Sequence, residues 1–134
     1  SIIFQSFSQI SKTNKMKLFK SNDPTIQDGD QCRDFIYIDD VLDVIFFLYN
    51  NKIQSGIYNV GTGEVTTFSN IISYVFSSMQ KNKLIDYIEM PSALRNQYQN
   101  HTRADINKLR SVGYKKEFSN IKKAVNHYIT NYLV

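Results

Sequence analysis

The chain has 134 residues, 42% of them hydrophobic, and this length and composition favour one folded domain over a disordered chain. It has no run of about 18 apolar residues, no signal-peptide pattern at its start and a single cysteine, so we expect a cytoplasmic protein with no membrane partner, no internal disulfide and no metal site. The net charge of +4 comes mainly from scattered lysines, which is typical of a solvated surface, so no nucleic-acid partner is expected.

The first half of the chain is predicted to combine helices with short strands. Apolar residues at spacings of four and three predict a helix over residues 1–13, and the letters MKLF predict a strand at 16–19. A polar loop with turn residues follows, and the alternating letters RDFIYI predict a strand at 33–38. An apolar stripe of helical spacing then predicts a helix, with Asp39 and Asp40 at its cap and first turn.

The second half is predicted to add two strands and three helices. The letters GIYNV at 56–60 and IDYIEM at 85–90 predict the strands. Between them, an apolar face that begins at Phe68 predicts a helix capped by a preceding threonine. A short helix is predicted to end at Gly113, and a last helix is predicted to begin at Ser119.

Gly61 and Gly63, one residue apart within GIYNVGTGEVTTFSN (residues 56–70), raise the question of a nucleotide site, because phosphate-binding loops also run from a strand through glycines into a helix. A dinucleotide fingerprint needs a third glycine where this chain has Thr66, and it opens the first β-α-β unit of a domain. Asp86 lies about 20 residues further on, as the ribose-binding acid of that fingerprint does, but several elements precede the loop. We interpret the segment as a tight turn and assign no cofactor-binding residue.

Two segments carry a resemblance to a known family. RDFIYIDDVLDVIFFL, beginning at Arg33, and SGIYNVGTGEVTTFSNI, beginning at Ser55, are similar to the C-terminal half of extended short-chain dehydrogenase/reductases that act on nucleotide-activated sugars. The resemblance implies an α/β fold in which residues 1–134 form one substrate-binding segment, with the N-terminal Rossmann sheet mostly outside it. It also implies that the family's cofactor glycines lie elsewhere.

A narrower resemblance comes from IEMPSALRNQYQNHTRADINKLRSVGY, residues 88–114. This segment is similar to members of the family that epimerise an ADP-heptose for lipopolysaccharide core precursors. The resemblance implies inversion of the 6″ carbon through a ketone, with bound NADP taking and returning the hydride, and it implies a homo-oligomer.

The acid/base pair of that chemistry, Tyr-x-x-x-Lys, occurs at none of the nine tyrosines of this sequence. We therefore expect the chain to be the C-terminal part of a longer enzyme, with no catalytic residue, no NADP affinity and no activity of its own. Apolar surface that faces the rest of such an enzyme would be uncovered, so the isolated chain is expected to associate.

Arg33 is the first candidate for substrate binding. It is one of four arginines, it follows a polar loop, and it opens a predicted strand whose next residues are apolar, so its planar fork suits a diphosphate. A surface ion pair with Asp34 or Asp30 is the alternative explanation. The resemblance to a substrate-contacting arginine of the family favours the diphosphate.

The stretch at the end of the first predicted strand is the second candidate. Phe19 could hold an adenosine against its ring, with core packing as the alternative. The polar residues after it are Lys20, Ser21 and Asn22. This stretch contacts substrate in the family, although relatives often have Glu-Gly-Ser where this chain has Lys-Ser-Asn.

Two further residues complete the predicted substrate site. Tyr98 lies in a polar segment with no apolar stripe to bury it, and it matches a substrate-binding tyrosine of the family. Gln5 stands where relatives usually have a histidine, and its amide keeps hydrogen bonding without the charge. Cys32, His101 and His127 are interpreted as structural or solvated.

Two alternatives to an ADP-heptose epimerase stay open. One is another member of the same superfamily, such as a UDP-hexose 4-epimerase or a dTDP-sugar dehydratase, because the fold does not determine the substrate. The segment RNQYQNHTRAD argues against those enzymes. The other alternative is a non-catalytic module that binds a sugar nucleotide or a protein.

Overall fold

The computed structural model describes all residues from 1 to 134 and contains six helices and five short strands. The helices are α1 (Ile2–Thr13), α2 (Ile38–Asn50), α3 (Phe68–Ser78), α4 (Ser92–Arg95), α5 (Asn107–Ser111) and α6 (Ile121–Tyr132). The strands are β1 (Met16–Phe19), β2 (Cys32–Arg33), β3 (Thr66–Thr67), β4 (Ile85–Ile88) and β5 (His101–Thr102).

The strands form two small sheets. β1 pairs in parallel with β4, with Met16 opposite Ile85. β2 is the central strand of the other sheet, antiparallel to β3 and parallel to β5, so that Arg33 lies between Thr66 and Thr102. Helices and mainly parallel strand pairs in one chain confirm the predicted α/β class.

The main core lies between α1, α3, α6 and the β1–β4 sheet. Ile10 of α1, Ile72 of α3 and Ile129 of α6 are fully buried within it. α3 begins where predicted, because the Thr67 hydroxyl accepts a hydrogen bond from the Asn70 N–H at 3.1 Å. α3 packs against both α1 and α6.

A smaller core joins α2 to the segment around α5. Val44, Leu109 and Tyr114 are its buried residues. Gly113 follows the end of α5 with a φ of +100°, which confirms its predicted role as the residue that ends this helix.

Two strand predictions were wrong. The strand predicted over 33–38 ends at Arg33, because Phe35 packs inward instead of pairing and Ile38 already begins α2. Phe35 contacts the main core and meets the Phe68 ring edge to face at 5.8 Å. The strand predicted over 56–60 is absent, and there the Lys108 ammonium binds the Ile57 carbonyl at 2.8 Å in place of a sheet partner.

Two helix caps also differ from the prediction. α2 begins at Ile38, so Asp39 and Asp40 lie in its first turn and neither caps it. Asp40 is buried and accepts hydrogen bonds from the Ser119 N–H at 2.9 Å and the Ser119 hydroxyl at 3.0 Å. Because Ser119 is bound to Asp40 of α2, it does not cap α6. Asn120 caps α6 instead, and its side chain accepts from the Lys123 N–H.

α2 has a second apolar face that no other part of the chain covers. Residues on this face are strongly exposed: Ile38 (59%), Leu42 (45%), Ile45 (52%), Phe46 (60%) and Tyr49 (86%). None of the helices is both long enough and apolar enough to cross a bilayer. The uncovered face gives the isolated chain an apolar contact surface.

We expect this face to make the chain associate with itself in solution. Light scattering should give a mass above that of the 15.6 kDa monomer, rising with protein concentration. Phe46→Lys places a charge on the exposed face and should lower that mass. A wild-type chain that stays monomeric over the whole concentration range contradicts the prediction.

Candidate functional site

Arg33 lies at the end of β2, and two aromatic rings flank its guanidinium. The guanidinium carbon is 5.5 Å from the centre of the Phe68 ring and 5.4 Å from the centre of the Tyr98 ring. Arg33 Nη1 donates to the Cys32 carbonyl at 2.8 Å. The side chain is half-buried and its direction is fixed by these three contacts.

The ion pair that was the alternative role for Arg33 is absent. The ion pairs of the structure join lysines and Arg95 to other carboxylates, and none includes Arg33, Asp34 or Asp30. The charge of Arg33 therefore has no protein carboxylate to neutralise it. An oriented guanidinium without a counter-charge is a suitable partner for a phosphate group.

A cavity of about 410 Å³ lies beside Arg33 and brings together three predicted site residues. We call it the aromatic cavity, and the lining residues that matter here are Gln5, Phe19, Gln31, Phe68 and Tyr98. The Phe19 and Tyr98 rings meet edge to face with their centres 6.4 Å apart. The volume falls in the range of ligand pockets, roughly 300–1,000 Å³.

The Tyr98 hydroxyl stays protonated at neutral pH. Burial raises the pKa of Tyr98 above its ordinary value of 10.0, and the nearby charge of Arg33 opposes that rise. The hydroxyl of this cavity residue is therefore available as a hydrogen-bond donor.

Lys20, Ser21 and Asn22 line a different cavity, of about 580 Å³ and mostly polar. The Lys20 ammonium binds Glu89 at 2.7 Å, and the hydrogen bond and charge of Glu89 raise the pKa of Lys20. Arg95 binds the other oxygen of Glu89 at 3.1 Å. The Asn22 amide donates to the Arg95 carbonyl at 2.8 Å. The structure thus places Phe19 in one cavity and the three polar residues after it in another.

The glycine loop at 61–63 surrounds a carboxylate of the protein itself. Asp34 Oδ1 accepts from the Thr62 N–H at 2.8 Å and the Thr62 hydroxyl at 2.6 Å. Asp34 Oδ2 accepts from the N–H groups of Gly63 at 2.9 Å and Ala104 at 3.2 Å. These are the donors that a bound phosphate would need. The loop is a turn built around Asp34 and does not fit a cofactor phosphate.

Comparisons with known proteins agree with this architecture. Residues 1–61 match the sequence model of the NAD dependent epimerase/dehydratase family. Over 99% of its length the chain is 39% identical to ADP-L-glycero-D-manno-heptose-6-epimerase from Fusobacterium nucleatum, of which it covers 42%. The chain is thus similar to this epimerase over nearly its whole length, and its first 61 residues match the family model. A protein of the same name from Nitratidesulfovibrio vulgaris is 38% identical over 99% of the chain, which covers 41% of it.

Solved structures of nucleotide-sugar epimerases share the fold. The Helicobacter pylori ADP-L-glycero-D-manno-heptose-6-epimerase matches 97% of this chain with a TM-score of 0.76 at 24% identity, and the match covers 37% of that chain. The UDP-N-acetylglucosamine 4-epimerase from Methanobrevibacter ruminantium matches 97% with a TM-score of 0.77 at 18% identity, covering 38% of that chain. The chain thus spans about 40% of its relatives and corresponds to their C-terminal part.

Three residues around the site were not found by sequence reasoning. Phe68 was interpreted as the first residue of a core-facing helical stripe, yet its ring also faces the Arg33 guanidinium. Asp34 was considered only as an ion-pair partner for Arg33. Gln31 looked like one more polar loop residue, but it is 2% exposed. Only a tertiary contact distinguishes these residues from ordinary core or loop positions.

Proposed function

We propose that the chain is the substrate-binding C-terminal part of an ADP-L-glycero-D-manno-heptose 6-epimerase, an enzyme that inverts the 6″ carbon of an ADP-heptose for lipopolysaccharide core precursors. The observation that carries the proposal is the Arg33 guanidinium, which has no counter-charge and lies beside the aromatic cavity. Relatives of 38–40% identity that bear this name support the choice of ADP-heptose among nucleotide sugars.

Arg33 and the three predicted residues of the aromatic cavity have distinct parts in this proposal. The planar fork of Arg33 donates to the diphosphate, where charge-assisted bonds are strongest. Phe19 packs against the nucleoside, and the protonated Tyr98 hydroxyl donates to an oxygen of the ligand. Gln5, which is exposed at the mouth, offers an amide to the same ligand.

Lys20, Ser21 and Asn22 are proposed to contact a more polar part of the substrate. Their cavity begins at the residue that follows Phe19, so one extended ligand could reach both cavities. The Lys20 ammonium would have to share its bond to Glu89 with the substrate.

The cofactor is proposed to be NADP, bound by a part of the enzyme other than these residues. The donors of the glycine loop are occupied by Asp34, and no tyrosine of the chain has a lysine four residues on. The role of this chain is therefore to bind and orient the nucleotide sugar. The whole enzyme is proposed to be a cytoplasmic homo-oligomer.

Nucleotide binding by the 134-residue chain tests the proposal. Equilibrium dialysis should show saturable binding of ADP, weaker binding of UDP, and no saturable binding of NADPH at micromolar concentrations, because the glycine loop has no free donors. UDP bound more tightly than ADP would favour a UDP-sugar epimerase, whose fold the chain also shares. The absence of ADP binding, or micromolar affinity for NADPH, contradicts the proposal.

A further inference from the structure

Gln31 is a buried polar residue of the aromatic cavity with an incomplete set of hydrogen bonds. Its side chain is 2% exposed, and its Nε2 has no hydrogen-bond partner. The orientation of the amide is determined by Gly29, whose N–H donates to Gln31 Oε1 at 3.0 Å. The atom without a partner is therefore a donor.

A buried donor without a partner costs free energy, and nearly all such groups in folded proteins are paired. Two ordinary partners are a buried water and Asn100, whose Oδ1 is also unpaired. Asn100 lies close by in the fold, because its carbonyl accepts from the Cys32 N–H at 2.9 Å. Either partner would give Gln31 a role in stability alone.

The surroundings of Gln31 favour a third partner, which is a ligand. Three aromatic side chains, Phe19, Phe68 and Tyr98, line the same cavity, and the Arg33 guanidinium lies against two of them. A sugar in such a cavity would leave most of its hydroxyl groups unpaired, whereas a flat aromatic group needs few polar partners. The cavity therefore suits a nucleobase with a hydrogen-bond acceptor on its edge.

We propose that Gln31 Nε2 donates a hydrogen bond to an acceptor nitrogen of adenine when the diphosphate of the same nucleotide is bound to Arg33. This inference rests on the proposed function, since it takes ADP as the nucleotide part of the ligand. It makes Gln31 a residue that recognises the base, whereas Arg33 recognises the charge.

The test is equilibrium dialysis of the 134-residue chain with ADP and with its 1-deaza, 3-deaza and 7-deaza analogues, each of which replaces one ring nitrogen by carbon. Gln31→Leu should raise the dissociation constant for ADP roughly three- to tenfold. For the wild-type chain, one of the analogues should have a dissociation constant higher than that of ADP by the same factor. Gln31→Leu should bind that analogue and ADP with equal affinity. Gln54→Leu is the matched control, because Gln54 is exposed and outside the cavity.

A second variant keeps the test valid if Gln31→Leu fails to fold. Gln31→Glu retains the acceptor for Gly29 but presents an oxygen to the acceptor on the base, so ADP affinity should fall at least as far. Unchanged ADP affinity in both variants, with altered thermal stability, assigns Gln31 to stability and overturns the inference while the proposed function stands. Equal affinity for all four nucleotides overturns the contact with a ring nitrogen. A wild-type chain that binds no ADP overturns both proposals.

Discussion

Replacing Arg33 with alanine is expected to weaken ADP binding by roughly ten- to over a hundredfold, which corresponds to the loss of about 1.5–3 kcal/mol in charge-assisted hydrogen bonds. Arg33→Lys keeps the charge but loses the fork, so its effect should be smaller. The two dissociation constants can be measured by equilibrium dialysis of the chain. In a full-length enzyme, both changes should raise KM for ADP-heptose, alanine more than lysine, with much smaller effects on kcat and NADP affinity.

Arg103→Ala is the matched control for this prediction, because Arg103 is exposed and lies outside the aromatic cavity. It removes the same net charge, so it separates the local role of Arg33 from a general loss of positive field. Equal affinities of Arg33→Ala and the wild type would remove Arg33 from the site and weaken the case for Phe19 and Tyr98.

Replacing Asp34 with alanine is expected to lower the free energy of unfolding by about 2–4 kcal/mol. The change leaves the N–H groups of Thr62, Gly63 and Ala104 without the carboxylate that they share. Asp34→Asn should also destabilise the fold, because its NH₂ group would face donors. Urea denaturation followed by circular dichroism measures both effects.

The control for Asp34 is Asp86, an acidic residue whose bond to Lys15 at 3.4 Å is exposed to solvent. Asp86→Ala should change stability by less than about 1 kcal/mol. If Asp34→Ala costs no more than Asp86→Ala, the carboxylate does not hold the glycine loop.

Local signals predicted most of the fold. The cap of α3 at Thr67 and the end of α5 before Gly113 depend on contacts within a few residues, and both predictions are confirmed. The end of β2 depends on distant segments, because the residues after Arg33 pack against α3 and bind the glycine loop. β5 was missed for the same reason, since its partner β2 lies far away in the chain.

Helical periodicity was also insufficient for α2. The helical spacing of Val41, Val44, Ile45 and Leu48 predicts a single buried face. In the structure Val44 is fully buried, whereas Ile45 is 52% exposed. A helix that is apolar on two sides fits more than one inward face, and only tertiary packing decides between them.

The residues of the site were also predicted only in part. Family resemblance pointed to Gln5, Phe19 and Tyr98, which the structure brings together in one cavity beside Arg33. It did not point to Gln31, whose burial and unpaired amide become visible only in three dimensions.

The flanking of Arg33 by two rings also links nucleotide binding to folding. Phe68 belongs to α3 and Tyr98 to the segment between α4 and β5, so the guanidinium has its binding geometry only when distant parts of the chain are assembled. A nucleotide at Arg33 therefore binds the native state and not the unfolded chain. At a nucleotide concentration 100 times Kd, mass action then stabilises the native state by about 2.7 kcal/mol. ADP in the refolding buffer would thus raise the melting temperature of the chain and its yield of folded protein.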